Sequence, residues 1–367
     1  MTNTPETDAS RPTGPESWRE LAPSVLPTTA ARPAFRTIDV HTHLSVPASS
    51  ALAKPFLRPE LEPRSLYSSP ETLAYNAAYR ASDRQTGQFE DAEVRLADMD
   101  RQGIDMQVLS VPPTEYFYWL DEEHALKASR LQHERFAEVV AAHPDRFTAV
   151  ANLPMGHPAL AVEVMRQAKE EFGWHGFEMS ADVVGRDLDD PRYDVVWEAA
   201  AELGMTAIMH PQGFTHGERF TDYYLVNVMC MPLASTLATT RMILGGVWRR
   251  HPDFTMVVVH GGGYLPFYSA RTDHAYRVRP ELRHHIDRLP SEYLAGLYFD
   301  TNVFDPAMVA HLVERFGADH VLLGTDYPFD MGTTDPLGFL EGVGLSEGDR
   351  ELVLGGNAAR LLRIPSA

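Results

Sequence analysis

Eight short apolar runs recur along the chain, each followed by a stretch with helical periodicity. They are TIDVHTH (37–43), MQVLSV (106–111), FTAVANLP (147–154), HGFEMSA (175–181), MTAIMHP (205–211), TMVVVHGG (255–262), LYFDTN (297–302) and VLLGTDYP (321–328). Most are near-continuous in apolar residues, as parallel strands covered on both faces must be. Between them lie amphipathic segments such as DAEVRLADMDRQG, EEHALKASRLQHERFAEVVAAH and PALAVEVMRQAKEEF. Two more, YDVVWEAAAELG and PAMVAHLVERFG, each end on a glycine suited to a helix C-terminus. Eight strands alternating with helices predict an α/β (β/α)8 TIM barrel over residues 36–367. A doubly wound open sheet is the alternative. It usually has fewer strands and often a glycine-rich first turn, and no G-x-G-x-x-G follows the first strand here.

Bulk properties narrow the partners. Asp and Glu outnumber Lys and Arg by 51 to 32, a formal charge of −19 that repels phosphate backbones, so no nucleic-acid partner is expected. The single cysteine, Cys230, rules out an intrachain disulfide and any thiolate metal cluster. Residues 1–35 lack the basic start and apolar core of a signal peptide, and no apolar run approaches membrane-spanning length. The expectation is a cytoplasmic protein with no membrane partner and a flexible or loosely docked N-terminal arm. Two further segments exceed a minimal barrel. Residues 44–89, rich in proline and aromatics, are expected to form a lid or part of a pocket. The Met-rich stretch within 212–250 offers more apolar surface than one helix face needs, which suggests a subunit interface.

In such a barrel, chemistry sits at the C-terminal ends of the strands. There the first run places His41 and His43, the fifth His210, the sixth His260 and the eighth Asp326. Strand alternation puts Asp39, His41 and His43 on one face. Any one of these histidines could be a satisfied core residue or a strand end in solvent. Four histidines and an aspartate at one end of one barrel point instead to a metal site. Imidazoles with one carboxylate suit Zn²⁺, with Mn²⁺ or Fe²⁺ as alternatives. Five candidates exceed what one catalytic ion needs. His260 is therefore assigned to proton transfer, and Gly261, Gly262 and Gly263 would let backbone approach a ligand.

The motifs DVHTH, MHP, VVVHGGGYLPFYSAR and LLGTDYPF, with DMDRQGIDMQVLS and GGNAARLL, resemble the amidohydrolase superfamily. Within it the closest likeness is to the amidohydrolase-related group that includes aminocarboxymuconate semialdehyde decarboxylase. The resemblance runs from about residue 36 to the C-terminus. It implies His41, His43, His210 and Asp326 as metal ligands, and His260 as the residue that activates water or protonates the substrate. It also implies that Arg271 holds a substrate carboxylate, in an arrangement where this arginine can be contributed by the neighbouring subunit of a homodimer. Arg84 is the loosest counterpart of a second substrate arginine after strand 1. HPQGF stands where that decarboxylase has a tryptophan after HP, which brings Gln212 into the candidate pocket. Glu178 and Asn302 end their strands and are candidate pocket or ligand-orienting groups. Asp300, by alternation, is read as structural. Tyr264, Tyr327 and Phe329 are expected to wall a flat substrate, Arg219 to help bind an anion, and His284 and His285 to be solvated. The implied activity is non-oxidative decarboxylation of a small unsaturated or aromatic carboxylic acid. A metal-dependent hydrolase or hydratase acting on a similar acid is the alternative, with Asp326 or His260 shuttling the proton. A non-catalytic metal- or ligand-binding barrel is a third reading.

Overall fold

A computed structural model describes residues 25–365. The first strand, β1 (Ile38–His43), pairs in parallel with β2 (Met106–Ser110), and β2 with β3 (Phe147–Ala149). After one residue the third run continues as β4 (Ala151–Asn152), which pairs with β5 (Gly176–Met179). A small antiparallel hairpin, β6 (Asp182–Val183) and β7 (Arg186–Asp187), follows. The wall then runs through β8 (Thr206–Met209), β9 (Met256–Val258), β10 (Tyr298–Asp300) and β11 (Val321–Leu322), all parallel. It closes where Val40 N donates to Leu323 O (3.0 Å), His43 N donates to Tyr327 O (2.8 Å), and Thr42 bridges Tyr327. These are the eight wall positions of a TIM barrel, one per apolar run.

Two large apolar clusters build the barrel, beside a small third one around Phe117 and Leu120. Ile38, Val40, Met106, Val108, Val150, Ile208, Val257, Val259 and Leu322 form the interior, packed against Ala358, Leu362 and Ile364 of the C-terminal segment. A larger cluster, including Leu109, Phe147, Phe177, Met209, Val258 and Phe299, lies between the sheet and the surrounding helices. Each strand of the barrel wall thus buries both faces, which explains the unbroken apolar runs. The helices expected from periodicity are Ala92–Gln102, Glu122–Ala142, Pro158–Phe172, Asp194–Leu203 and Pro306–Phe316. Gly204 and Gly317 close the last two with φ of 60° and 92°. Among the described residues, no helix is long and apolar enough to cross a membrane.

Residues 44–89 do not form an open loop. They fold into short helices, including Pro63–Leu66, Pro70–Arg80 and Asp83–Glu90, seated beside the loop that follows β11. There Gln85 Nε2 donates to Pro328 O at 2.6 Å and Tyr79 Oη at 3.3 Å. Most of the arm, residues 1–24, lies outside the described residues. Residues 25–35 run along the barrel, with Leu26 N donating to Thr334 O and Thr29 N to Asp335.

The shared face expected for Asp39, His41 and His43 is not what forms. β1 carries one extra residue relative to β2 between Asp39 and Thr42. Ile38 and Val40 point to the interior cluster, while Asp39 accepts from Thr325 Oγ1 at 2.6 Å on the opposite face. The bulge then reverses the alternation, so that His41 and His43 follow Val40 inward.

Candidate metal centre

Four side chains meet at the C-terminal mouth of the barrel: His41 and His43 from β1, His210 just after β8, and Asp326 after β11. All are buried, and one donor atom from each lies within 4.8 Å of all the others. Asp326 Oδ1 is 3.1 Å from His43 Nε2, 3.3 Å from His41 Nε2 and 3.8 Å from His210 Nε2. The second nitrogen of each ring is engaged elsewhere. His41 Nδ1 lies 2.6 Å from Asp300 Oδ2, His43 Nδ1 2.9 Å from Val111 O, and His210 Nδ1 3.0 Å from Pro211 O. Acceptors at all three Nδ1 positions fix the tautomer with the proton there, leaving the Nε2 lone pairs facing the centre. His41 Nε2 and His210 Nε2 have no hydrogen-bond partner although buried. Buried polar atoms require partners, and a cation among three imidazole lone pairs and a carboxylate supplies them. The residues fit a divalent metal ion.

The electrostatics agree for His43 and His210, whereas His41 would have to lose its Nε2 proton to bind a metal ion. Burial pushes His43 and His210 down, holding them neutral as ligands must be. Burial also opposes charge on His41, but the Asp326 and Asp300 carboxylates outweigh it and raise this imidazole to about 10. Asp326 is held well below the usual carboxylate range, the neighbouring imidazoles overcoming the cost of burial.

His260 stands apart from the ligand set. Its Nε2 is 3.6 Å from Asp326 Oδ2, and its buried Nδ1 has no partner among the described residues. It follows β9 in a left-handed conformation, φ 55°, and Asp326, after β11, is likewise left-handed at φ 62°. Such backbone is unfavourable for residues with a Cβ and collects at functional sites. It also explains why β9 and β11 end two to four residues before the site residues their sequence runs include. Gly261 and Gly263 are required here, since a Cβ on the first would strike Val303 and on the second the carbonyl of Pro232.

Asp300, expected to be structural, supports the site directly. Besides holding His41, its Oδ1 accepts from Gly261 N at 2.8 Å, tying the His260 turn to the same carboxylate. Arg95 is a second support that the sequence did not mark. Completely buried, it donates to His43 O (2.6 Å), Gln88 O (3.1 Å), Thr42 Oγ1 (3.1 Å) and Gln107 Oε1 (2.8 Å). Its guanidinium also lies 4.7 Å from the Tyr327 ring centroid. In sequence it is one charged residue on an amphipathic helix and reads as solvated.

The metal centre forms the floor of a cavity of about 340 Å³. His260, Asn302, Tyr264 and Phe329 line it, as expected. Others do not. Tyr327 is buried behind the wall, its hydroxyl donating to Asp98 at 3.1 Å. Glu178 sits behind His43, accepting from Ser110 Oγ at 2.9 Å, and burial pushes it up to about 8. The Gln212 amide donates to Glu62 instead of facing the cavity. Arg84, Arg219 and Arg271 are exposed and outside the cavity of the single chain, and His284 and His285 are solvated. The arginine that does line the cavity is Arg64, from the segment after β1, its guanidinium 5.2 Å from the Phe329 ring centroid. Arg80 lies in an adjoining cleft beyond Phe329. EPRSLY, which holds Arg64, has no periodicity or strand end to signal it. Only the folding of 44–89 over the mouth brings it in.

Comparison with known proteins agrees with this architecture. The family model described as Amidohydrolase matches residues 38–364. The chain is 32% identical over 335 residues to 2-amino-3-carboxymuconate-6-semialdehyde decarboxylase of Dictyostelium discoideum, covering 89% of this chain and 91% of the relative. It is 25% identical over 328 residues to gamma-resorcylate decarboxylase of a Rhizobium species, covering 82% and 97%. Among solved structures it superposes on 5-carboxyvanillate decarboxylase of Sphingomonas paucimobilis with a TM-score of 0.79 at 25% identity, covering 90% of this chain and 100% of that one.

Proposed function

This chain belongs to the amidohydrolase family, and on that premise we propose that it is a metal-dependent decarboxylase of a small unsaturated or aromatic carboxylic acid. The observation that carries the reading is the convergence of three imidazole Nε2 atoms on Asp326 Oδ1, with His260 beside them at the floor of a mostly apolar cavity. A divalent ion held by His41, His43, His210 and Asp326 would supply an electrophile for substrate oxygens. Zn²⁺ is the ion such N/O donors bind more tightly, with Mn²⁺ the alternative.

The chain's own residues account for the rest. Arg64 draws the anionic acid into a cavity that is otherwise mostly apolar. Asn302 and Phe329 position its flat body. As the bond to the carboxylate breaks, CO₂ leaves and the electron pair stays on the substrate carbon. His260 delivers a proton there, so the product is the parent compound with hydrogen in place of the carboxylate. The apolar walls favour the step because the localised carboxylate charge is dispersed into the substrate as CO₂ leaves and is then neutralised by the proton from His260.

The reading includes a homodimer. Arg271 lies exposed on the helix Ala270–Val278, close to the exposed apolar side chains of Tyr264, Tyr268 and Val278. In this reading a second copy covers this face, and Arg271 is the residue proposed to reach the neighbouring cavity.

The test is elemental analysis of the purified protein together with a CO₂-release screen over hydroxybenzoates and muconate-type acids. About one metal equivalent with CO₂ evolved is expected. Substrate consumed without CO₂ would shift the assignment to hydrolysis or hydration, and protein that binds no metal would overturn it.

A further inference from the structure

The lining of the cavity falls into two chemical sets. One holds His210, His260, Asp326, Asn302 and Arg64. The other supplies an apolar wall of Val228, Met231, Phe267, Val303, Phe304 and Met308, none of which can donate a hydrogen bond from its side chain or carry charge. This wall is fixed to the reacting groups. The glycine turn after His260 packs so tightly on Val303 and Pro232 that neither Gly261 nor Gly263 has room for a Cβ. Tyr264 N also donates to Thr236 Oγ1 at 2.8 Å, clamping the turn to the helix Cys230–Leu244 that carries Met231. At the mouth, Phe304 is held at φ 59° with its ring half-exposed and lining the cavity. A bulky residue in that conformation is strained, so the surrounding fold must hold it there.

The volume is larger than a bare ring needs. A cavity that holds benzene measures roughly 150 Å³, against about 340 Å³ here. Charge also limits what can fill the remainder. Arg64 is the single cation among the described lining residues, and Asp330 lines the same cavity. A second carboxylate directed at the Met231–Met308 wall, away from Arg64 and from any Arg271 supplied at the mouth by a second copy, would be desolvated without a partner. An alkyl or aryl group there would bury apolar surface on both sides.

Resting on the decarboxylase reading for the acid end, we propose that the substrate carries an apolar substituent, of about two to four carbons or an aryl ring, seated against Met231, Phe267 and Met308. It carries no second charged group there. Met308 and Met231 suit this role because methionine adapts to irregular apolar shapes.

The experiment is calorimetric titration of the metal-loaded protein with 2-hydroxybenzoates bearing hydrogen, methyl, propyl or butyl at each free ring position. Matched compounds bear a second carboxylate, and CO₂ release is followed in parallel. At the best ring position Kd should fall about fourfold per added methylene, and the dicarboxylates should bind more weakly than the unsubstituted acid. Val228→Glu, at a half-exposed position that tolerates charge, and Met308→Glu should each flatten the alkyl series. A flat series in the unmodified protein, tighter binding of the dicarboxylates, or no binding by any alkylated acid would overturn the inference. The two readings separate cleanly. An alkyl slope in Kd without CO₂ keeps the inference and sinks the reaction, whereas CO₂ release with a flat slope does the reverse.

Discussion

Nδ1 of His41 and Oδ2 of Asp300 lie 2.6 Å apart, both fully buried, on strands from opposite halves of the sequence. The contact sets which nitrogen of His41 faces the metal centre. Because the other oxygen of Asp300 accepts from Gly261 N, one carboxylate ties His41 and the turn bearing His260 together. Asp300→Asn presents an amide that can donate where the ring already donates. Metal affinity should drop 10- to 100-fold while the circular dichroism spectrum is retained, measured by competition with a chromogenic chelator. Unchanged affinity would show that the contact does not orient the ligand.

His210 and His260 should separate cleanly on substitution. His210→Ala removes one of the converging Nε2 atoms and should abolish stoichiometric metal binding. His260→Ala leaves all four ligands in place, so metal content should persist while kcat falls by about 10²- to 10⁴-fold. Elemental analysis of both proteins beside single-turnover rates checks this. Equal loss of metal from both would remove His260 from its assigned role.

Arg95 holds the strand that presents two ligands. Its buried guanidinium donates to His43 O, Gln88 O, Thr42 Oγ1 and Gln107 Oε1. Arg95→Met should leave several of these acceptors unsatisfied at ~1–3 kcal/mol each, lowering stability by about 3 kcal/mol or more. Urea denaturation of the metal-free protein isolates this cost, and a loss below about 1 kcal/mol would refute it.

Glu62 gives the fold a pH dependence. Buried, it accepts from Trp119 Nε1 and Gln212 Nε2, and desolvation raises it to about 7 from an ordinary 4.5. Its folded-state pKa is raised, so between pH 4.5 and 7 the folded chain binds more protons at this group than the unfolded chain does. The contribution to stability therefore falls as pH rises through that window, each pKa unit being worth ~1.4 kcal/mol. Glu62→Gln cannot titrate. Plotted against pH from 5 to 8, the variant's Tm minus that of the unmodified protein should climb. A level difference would contradict the assignment.

Much of this protein was legible in sequence because the signal was local. Eight apolar runs gave eight barrel-wall positions, and the glycines after Leu203 and Phe316 ended their helices where a left-handed residue is needed. His41, His43, His210 and Asp326 were found because strand ends in a barrel converge on one point. The sequence erred where a backbone irregularity intervened. The bulge in β1 turned Asp39 away from the two histidines, and left-handed backbone at His260 and Asp326 cut short the strands that carry them.

The sequence by itself determined the barrel and which ionisable side chains gather at its mouth, because burial on both strand faces and position at a strand end are properties of a residue and its near neighbours. Tertiary structure alone decided what supports the ligands and what fills the pocket. Asp300 reaches His41 across 259 positions of sequence, and Arg64 enters the cavity only when residues 44–89 fold back over the mouth. Arg95 changes from an ordinary helix-surface charge to a buried support only when its helix packs against β1. No periodicity encodes such contacts, since each depends on where two distant segments meet in space.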